Sequence, residues 1–474
     1  MPQMIPLTQG SYMSRSVIAS AQRCVNLYGD RNPEDSPFPF TFYPTPGLIA
    51  RWSPATPAPA RGAYTASNGD LYYVAGATVY YISANYNALA LGNLRTSAGM
   101  VSMKDDGLVL IIVDGTSEGF KVDLKTRLMT PYAQAGFLGA DRVDYLDGFF
   151  LFNKPKSRFF YSSLLNTQKI DPTYIAQKSA APDALVKVVC VERLAWLMGT
   201  ASSEVWANAG APNFPFQEVP GAFVQHGLAA PDSVATHDNS IFFVEQNANG
   251  KGSIARTSGY SVQKISTPAL EAEMATYATI SDAIGMVYSM LGRVFYVVTF
   301  PSADVTWVFD MAHTPPMIHQ WSWASNQGVS HRHRAICGAF AYGLNYVGDW
   351  QNGTLYELDS QTYLDDDNDV IRVRGFPHSV SGGRAAEYKQ FQAEFEVGQD
   401  LPEEAQVSLR VSQTRGRSWG QPMLMSLGAL GDYLRVPQWR QLGLARDVVF
   451  ELEWSFNAQA ALNGAYVDFQ MTDG

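Results

Sequence analysis

A short aromatic and β-branched run, a polar turn and a second such run recur seven times between residues 68 and 359. The copies read NGDLYYVAGATVYYIS (68–83), DDGLVLIIVDGTSEGFKVDL (105–124), LDGFFLFNKPKSRFFYSSL (146–164), VERLAWLMGTASSEVWANA (191–209), DNSIFFVEQNANGKGSIAR (238–256), LGRVFYVVTFPSADVTWVFD (291–310) and AYGLNYVGDWQNGTLYELD (341–359). Tyr, Phe, Val, Ile and Trp fit a pleated surface, and the intervening Gly, Asn and Asp supply turn conformations, so each copy reads as a β-hairpin. Starts lie 37 to 53 residues apart, the length of a four-stranded propeller blade. A lone hairpin cannot bury both faces, and radial stacking of sheets is the physical reason to repeat it. The expectation is an all-β chain built on a seven-bladed β-propeller. How the ring closes is not visible in the letters.

Composition narrows the alternatives. With 46% hydrophobic and 16% charged residues the chain is globular rather than disordered, and 474 residues allow more than one domain. The net charge of −10, with no basic run carrying interleaved aromatics, argues against a protein that grips phosphates, so no sequence-specific nucleic-acid binding is expected. Cys24, Cys190 and Cys337 are too few and too scattered for a zinc site or a disulfide scaffold, and read as reduced core residues. The start, MPQMIPLTQGSYMSRS, lacks signal-peptide character, and the longest apolar runs, such as LVLIIV (108–113), are strand-sized; folding in a cytoplasm without membrane insertion is expected.

The chain divides into four expected segments. Residues 1–60 hold RNPEDSPFPFTFYPTPG and SPATPAPARG, where proline removes backbone donors, and read as an extended arm or edge segment. The propeller occupies 61–362, with one helix expected over 267–283 on the outside of a blade, capped by Thr267, opened by Pro268 and placing Leu270, Met274 and Tyr277 on one face. Residues 363–375 read as an acidic linker. From 376 to 474 the alternation becomes strict, as in FQAEFEVG, QVSLRVSQ and VVFELEWSF, with turns at GQDLPEEA, TRGRSWG and ARD, and predicts a small antiparallel β-sandwich.

Few residues carry chemical signatures. Asp365, Asp367 and Asp369 have the alternate spacing of a calcium loop, but Val370 stands at the glycine position and Phe376 at the glutamate position. His331 and His333, with His319 and His313 upstream, could share a face, yet nothing at motif spacing completes a metal site. SQTRGRSWG (412–420) has the outline of a sialidase-type turn, but Thr414 occupies the acidic position, and a tight turn with Trp419 folded onto the sheet is expected. A glycosidase needs two carboxylates facing one cleft, and no rule selects a pair from 44 acidic residues. No catalytic residue, cofactor or metal is assigned.

The stretch SSEVWANAGAPNFPFQEVPGAFVQHGLAAPDSVATHDNSIFFV (202–244), continued by GYSVQKISTPALEAEM, ATISDAIGMVY and FYVVTFPSADVTWVFD, resembles the tail hub family of short-tailed phages, also called packaged-DNA stabilisation proteins. The closing segments VSLRVSQTRGRSWG, VPQWRQLGLARDVVFELEWSF and GAYVDF are similar to the last domain of the same family. The turn at Thr414 departs from relatives that carry an acidic residue there. The resemblance implies a structural virion protein, not an enzyme. It implies a subunit made in the host bacterial cytoplasm that joins a homo-hexamer beneath the portal and head-to-tail adaptor. Such a hub closes the DNA exit channel and carries the tail needle and fibres or spikes. Partner contact is expected at the Pro-bracketed loop NFPFQEVPGAF through Phe214, Phe216 and Phe223, against the alternative that these rings close the gap between two blades. A carbohydrate-active or glycan-binding propeller is the competing functional class.

Overall fold

Each of the seven copies forms the two middle strands of an antiparallel sheet, and weaker flanking segments supply its inner and outer strands. A computed structural model describes residues 2–472 apart from 247–251, 326–327, 381, 399–400 and 403–404; the turn of the fifth copy and part of the turn GQDLPEEA lie outside the described residues. Blade 1 runs Ala60–Thr65, Leu71–Ala75, Thr78–Ile82 and Ala88–Asn93. Blades 2 to 7 begin at Ser102–Asp105, Val143–Leu146, Leu185–Val191, Ala235–His237, Ile284–Met290 and Ala335–Ala341. A middle strand such as Phe149–Asn153 is buried along its whole length because neighbouring blades cover both faces, whereas the outer strand Ala88–Asn93 is largely exposed. Between blades 1 and 2, Tyr72, Val74 and Val79 pack with Leu110, Ile112, Phe120 and Val122.

The hairpins joining first to second strands share one face of the ring. At Asp147–Gly148, Leu291–Gly292 and Tyr342–Gly343 both turn residues have positive φ, the geometry that matches the twist of the flanking strands. Side chains tie these turns between blades: Arg127 to Asp70 at 3.2 Å, Gln168 to Asp106 at 2.6 Å and Arg193 to Asp147 at 3.0 Å.

Ring closure comes from the N-terminal segment. Gly47–Trp52 pairs antiparallel with Leu355–Asp359 and is the fourth strand of blade 7, with Leu48 buried among Val347, Tyr356 and Leu358. The rest of residues 1–60, expected to run as an extended arm, is also woven into sheets. Gln3–Ile5 pairs with the last strand, Leu462–Met471, and Leu27–Arg31 with Phe40–Pro44 makes a hairpin beside it. Cys24–Val25 lies between Met317–Gln320 of blade 6 and Arg372–Gly375. Pro33 sits in a turn and Pro44 at a strand end, where a missing N–H is tolerated.

The strict alternation that follows residue 376 packs as two sheets around Phe391, Phe450, Trp439 and Trp454. One sheet has the order Gln438–Ala445, Ala386–Phe395, Leu462–Met471, Phe40–Pro44, Leu27–Arg31. The other runs Met423–Ser426, Gln406–Ser412, Asp447–Trp454, Arg372–Gly375, Cys24–Val25 and continues into blade 6. Residues 363–375 differ from a solvated acidic linker: Leu364–Asp365 and Asn368–Asp369 form a hairpin, Asp365 pairs in parallel with Leu48, and its side chain is buried. The helix is Pro268–Met274, shorter than the expected 267–283; Thr267 Oγ1 accepts from Leu270 N at 3.3 Å, and Leu270 and Met274 are buried. Among the described residues no helix is long and apolar enough to cross a membrane.

Candidate functional site

The proline-bracketed loop closes onto blade 3. Phe216 is 2% exposed and meets Phe149 edge-on at 5.4 Å, and Phe214 meets Phe160 at 5.3 Å and Tyr174 at 6.3 Å. Their rings therefore seal the seam between blades 3 and 4, while Phe223, opposite Glu204 on the outer strand Phe216–Val224, is open to solvent.

The propeller axis holds a cavity of about 320 Å³ whose wall takes residues from the inner side of every blade. Charge is concentrated on one side of it. Arg142, just before blade 3, pairs with Asp232 before blade 5 and donates to its neighbour's carbonyl, Asp141 O, at 2.7 Å. Among the described residues Lys187, on the inner strand of blade 4, reaches only Pro231 O, at 3.4 Å. Burial lowers the Arg142 guanidinium to about 10 and, with Arg142 beside it, holds the Lys187 amine well below its usual range. Lys104 and Asp144 pair at 2.9 Å nearby. The opposite wall carries the apolar groups Gly62, Val101, Met286 and Ile336, with Tyr64 and Ser102 among them. Both carboxylates named here already hold a cation, an arrangement unlike a pair of free acids waiting for a glycosidic bond.

Where propeller meets sandwich, buried arginines are satisfied by carbonyl oxygens. Arg372 donates to Val370 O, Phe456 O and Tyr363 O, and Arg374 to Gln9 O, Gly10 O and Arg23 O while lying 4.4 Å over the Phe42 ring. The planar, multiply donating guanidinium can bind several backbone strands at once, which makes this junction stiff. Asp365 lies in the same region, and burial pushes its carboxyl up to about 7 against the pull of Arg334 and Arg372.

The four histidines singled out by sequence do not converge. His331 bonds Asp304 at 2.7 Å, and His313 bonds the Gly29 carbonyl at 2.9 Å. His319 is buried and lowered to about 3 by desolvation, and His333 stacks on Trp321 at 3.7 Å between centroids. Asp367 and Asp369 sit on the hairpin after Asp365, and among the described residues no group of three or more His, Cys, Asp or Glu is placed to hold a metal ion. Around Thr414 the chain makes a tight turn, Ser418 N donating to Thr414 Oγ1 at 2.8 Å, with the half-buried Trp419 under Arg410. Two features escaped the sequence reading. One is the channel cluster, whose signal was a lone lysine inside the apolar strand LVKVVCV. The other is the sandwich loop before Gln438, where Leu430, Tyr433 and Leu434 project into solvent, Leu434 being 92% exposed.

The sequence model described as "Bacteriophage P22 Gp10, beta-propeller" matches residues 3–363, and "Bacteriophage P22 Gp10, beta-sandwich" matches 376–470. The chain belongs to the bacteriophage P22 Gp10 family. It is thus a tail hub, or packaged-DNA stabilisation, protein of the type found in short-tailed phages, a structural component of the phage tail. No curated protein matches. Among solved structures, the WD40 beta propeller domain of Doa1 is 12% identical with a TM-score of 0.42, covering 66% of this chain and 97% of that one. A chain of the Mitotic Checkpoint Complex is 12% identical at a TM-score of 0.43, covering 70% and 96%. The Gp10 match begins at residue 3, inside the segment that supplies strands to both domains of this chain.

Proposed function

We propose that this Gp10-family chain is a hub subunit that joins a homo-hexamer beneath the portal and its adaptor ring. There it closes the DNA exit channel and carries the tail needle and the fibres or spikes. The observation that carries the reading is the weaving of propeller and sandwich through shared strands, matched over both domains by one phage family. A hub under load needs a subunit that does not flex between its parts, and a sheet continuous from blade 6 into the sandwich provides that. The propeller's own bore, a cavity of about 320 Å³ lined on one side by the Arg142–Asp232 pair, is far too small for a duplex. In this reading DNA is held back on the axis of a ring of subunits. The net charge of −10 favours repelling phosphate over gripping it. Of the expected contact residues, Phe223 remains the one open to a partner.

Light scattering of the purified protein, alone and mixed with the adaptor and portal proteins of the same phage, tests this. A monomer that becomes a stoichiometric ring on the adaptor is the expected result. Monomers under all conditions would overturn the hub reading.

A further inference from the structure

The channel cluster is built as a binding site that the structural role does not use. When protonated Lys187 offers three N–H donors, and among the described residues its one acceptor lies at the limit of hydrogen-bond reach. It is half-buried and lines the axial cavity. The neighbouring charges do not neutralise it. Asp232 is taken by Arg142, while Asp144 is taken by Lys104 and by the Cys190 N–H at 2.7 Å. Among the described residues Arg142 Nε has no partner. Without a counter-ion the ammonium form of Lys187 is disfavoured, which is why its amine sits well below its usual range; a ligand's carboxylate would supply the missing counter-charge, and a chain that needed only to fill the bore would place an apolar side chain there.

Across the cavity the wall is Gly62, Ala63, Val101, Met103, Met286 and Ile336. A cavity of about 320 Å³ with charge on one side and these apolar groups among Tyr64, Ser102 and Thr236 on the other is the size of a small-ligand pocket. We propose that the propeller channel binds a monoanionic carboxylate bearing a short apolar body, with the carboxylate between Lys187 and Arg142 and the body against Val101, Met286 and Ile336. Singly charged fits better than doubly charged, because Asp232 and Asp144 would repel a phosphate dianion at the same position. The same chemistry is offered by a free organic acid and by the C-terminal carboxylate of a chain ending in an apolar residue. The inference stands independently of the hub reading, since it concerns one subunit.

Calorimetric titration of the full-length protein with sodium hexanoate, hexanamide and hexylammonium at matched ionic strength tests it. A short apolar peptide is titrated in parallel with a free and with an amidated C-terminus. Saturable binding of hexanoate, with neither the amide nor the amine binding, supports the site and a free acid as its ligand. Saturable binding of the free-terminus peptide alone supports the site and assigns it to a chain end. In Lys187→Met, which removes the unpartnered amine and leaves the protein melting at or above the wild-type temperature, affinity falls at least tenfold. In Lys187→Arg it is largely retained. Failure of both carboxylates to saturate, or equal affinity in Lys187→Met, overturns the proposal.

Discussion

Propeller and sandwich are both antiparallel β structures, yet they are assembled from the chain in opposite ways. Six blades are made of strands consecutive in sequence, so each depends on its own stretch of chain and on contact with two neighbours. The sandwich sheets combine strands near residues 25, 42, 373 and 450, so no single stretch contains the information for one of them. Blade 7 belongs to the second type, because its outer strand is Gly47–Trp52. The lesson is that a repeat can be local in pattern while the joints that make it one object are not.

The largest test breaks the joint itself. Leu48→Asp puts an unpaired carboxylate into the buried interior of blade 7, and a loss of about 5 kcal/mol is expected, enough to abolish the native transition in a calorimetric scan. Phe42→Ala acts on the sandwich side of the same interleaving. Its buried ring carries the Arg374 guanidinium, and truncation should cost about 3–4 kcal/mol by urea unfolding. If the two domains are one cooperative unit, tryptophan fluorescence and circular dichroism should shift together in that variant; separate transitions would show that the sandwich melts alone.

A smaller effect sharpens the comparison at the junction. The Asp365 carboxyl, raised by burial to about 7, keeps its proton in the folded chain where an unfolded carboxyl has released it. Between about pH 4 and 7 the folded state therefore binds more protons than the unfolded one, and stability falls as pH rises through that window. Asp365→Asn should flatten the fall in melting temperature over that range, leaving the curve parallel to wild type outside it. The smallest effect belongs to the rim of the blades. Arg95→Ala breaks an exposed pair with Glu118 and should change stability by about 0.5 kcal/mol or less, which is the expected size for a contact that joins nothing distant.

The same contrast explains what could be read from the letters. The middle hairpins were legible because each buries both faces, so aromatic and β-branched residues crowd together within about twenty positions. Closure was not, because GLIARW carries no mark naming a partner near residue 357. The acidic neighbours of Asp365 read as a solvated linker, and its burial follows from pairing with Leu48, far away in sequence. Phe214 and Phe216 had the composition of a docking loop, but Phe149 and Phe160 of the adjacent blade supply the rings that cover them. Lys187 and Arg142 acquire meaning only when blades 3, 4 and 5 place Asp232 and a cavity beside them.

Closure by Gly47–Trp52 also governs the order in which a ribosome can complete this molecule. The strand emerges roughly three hundred residues before Leu355–Asp359, the edge it must cover, so synthesis passes through a long interval in which an open ring offers two unpaired strand edges. A neighbouring nascent chain presents the same edges. Slow translation between blade 1 and blade 7 should therefore favour exchange of the closing strand between copies, and the yield of native subunit should depend on how quickly the last blade follows the first.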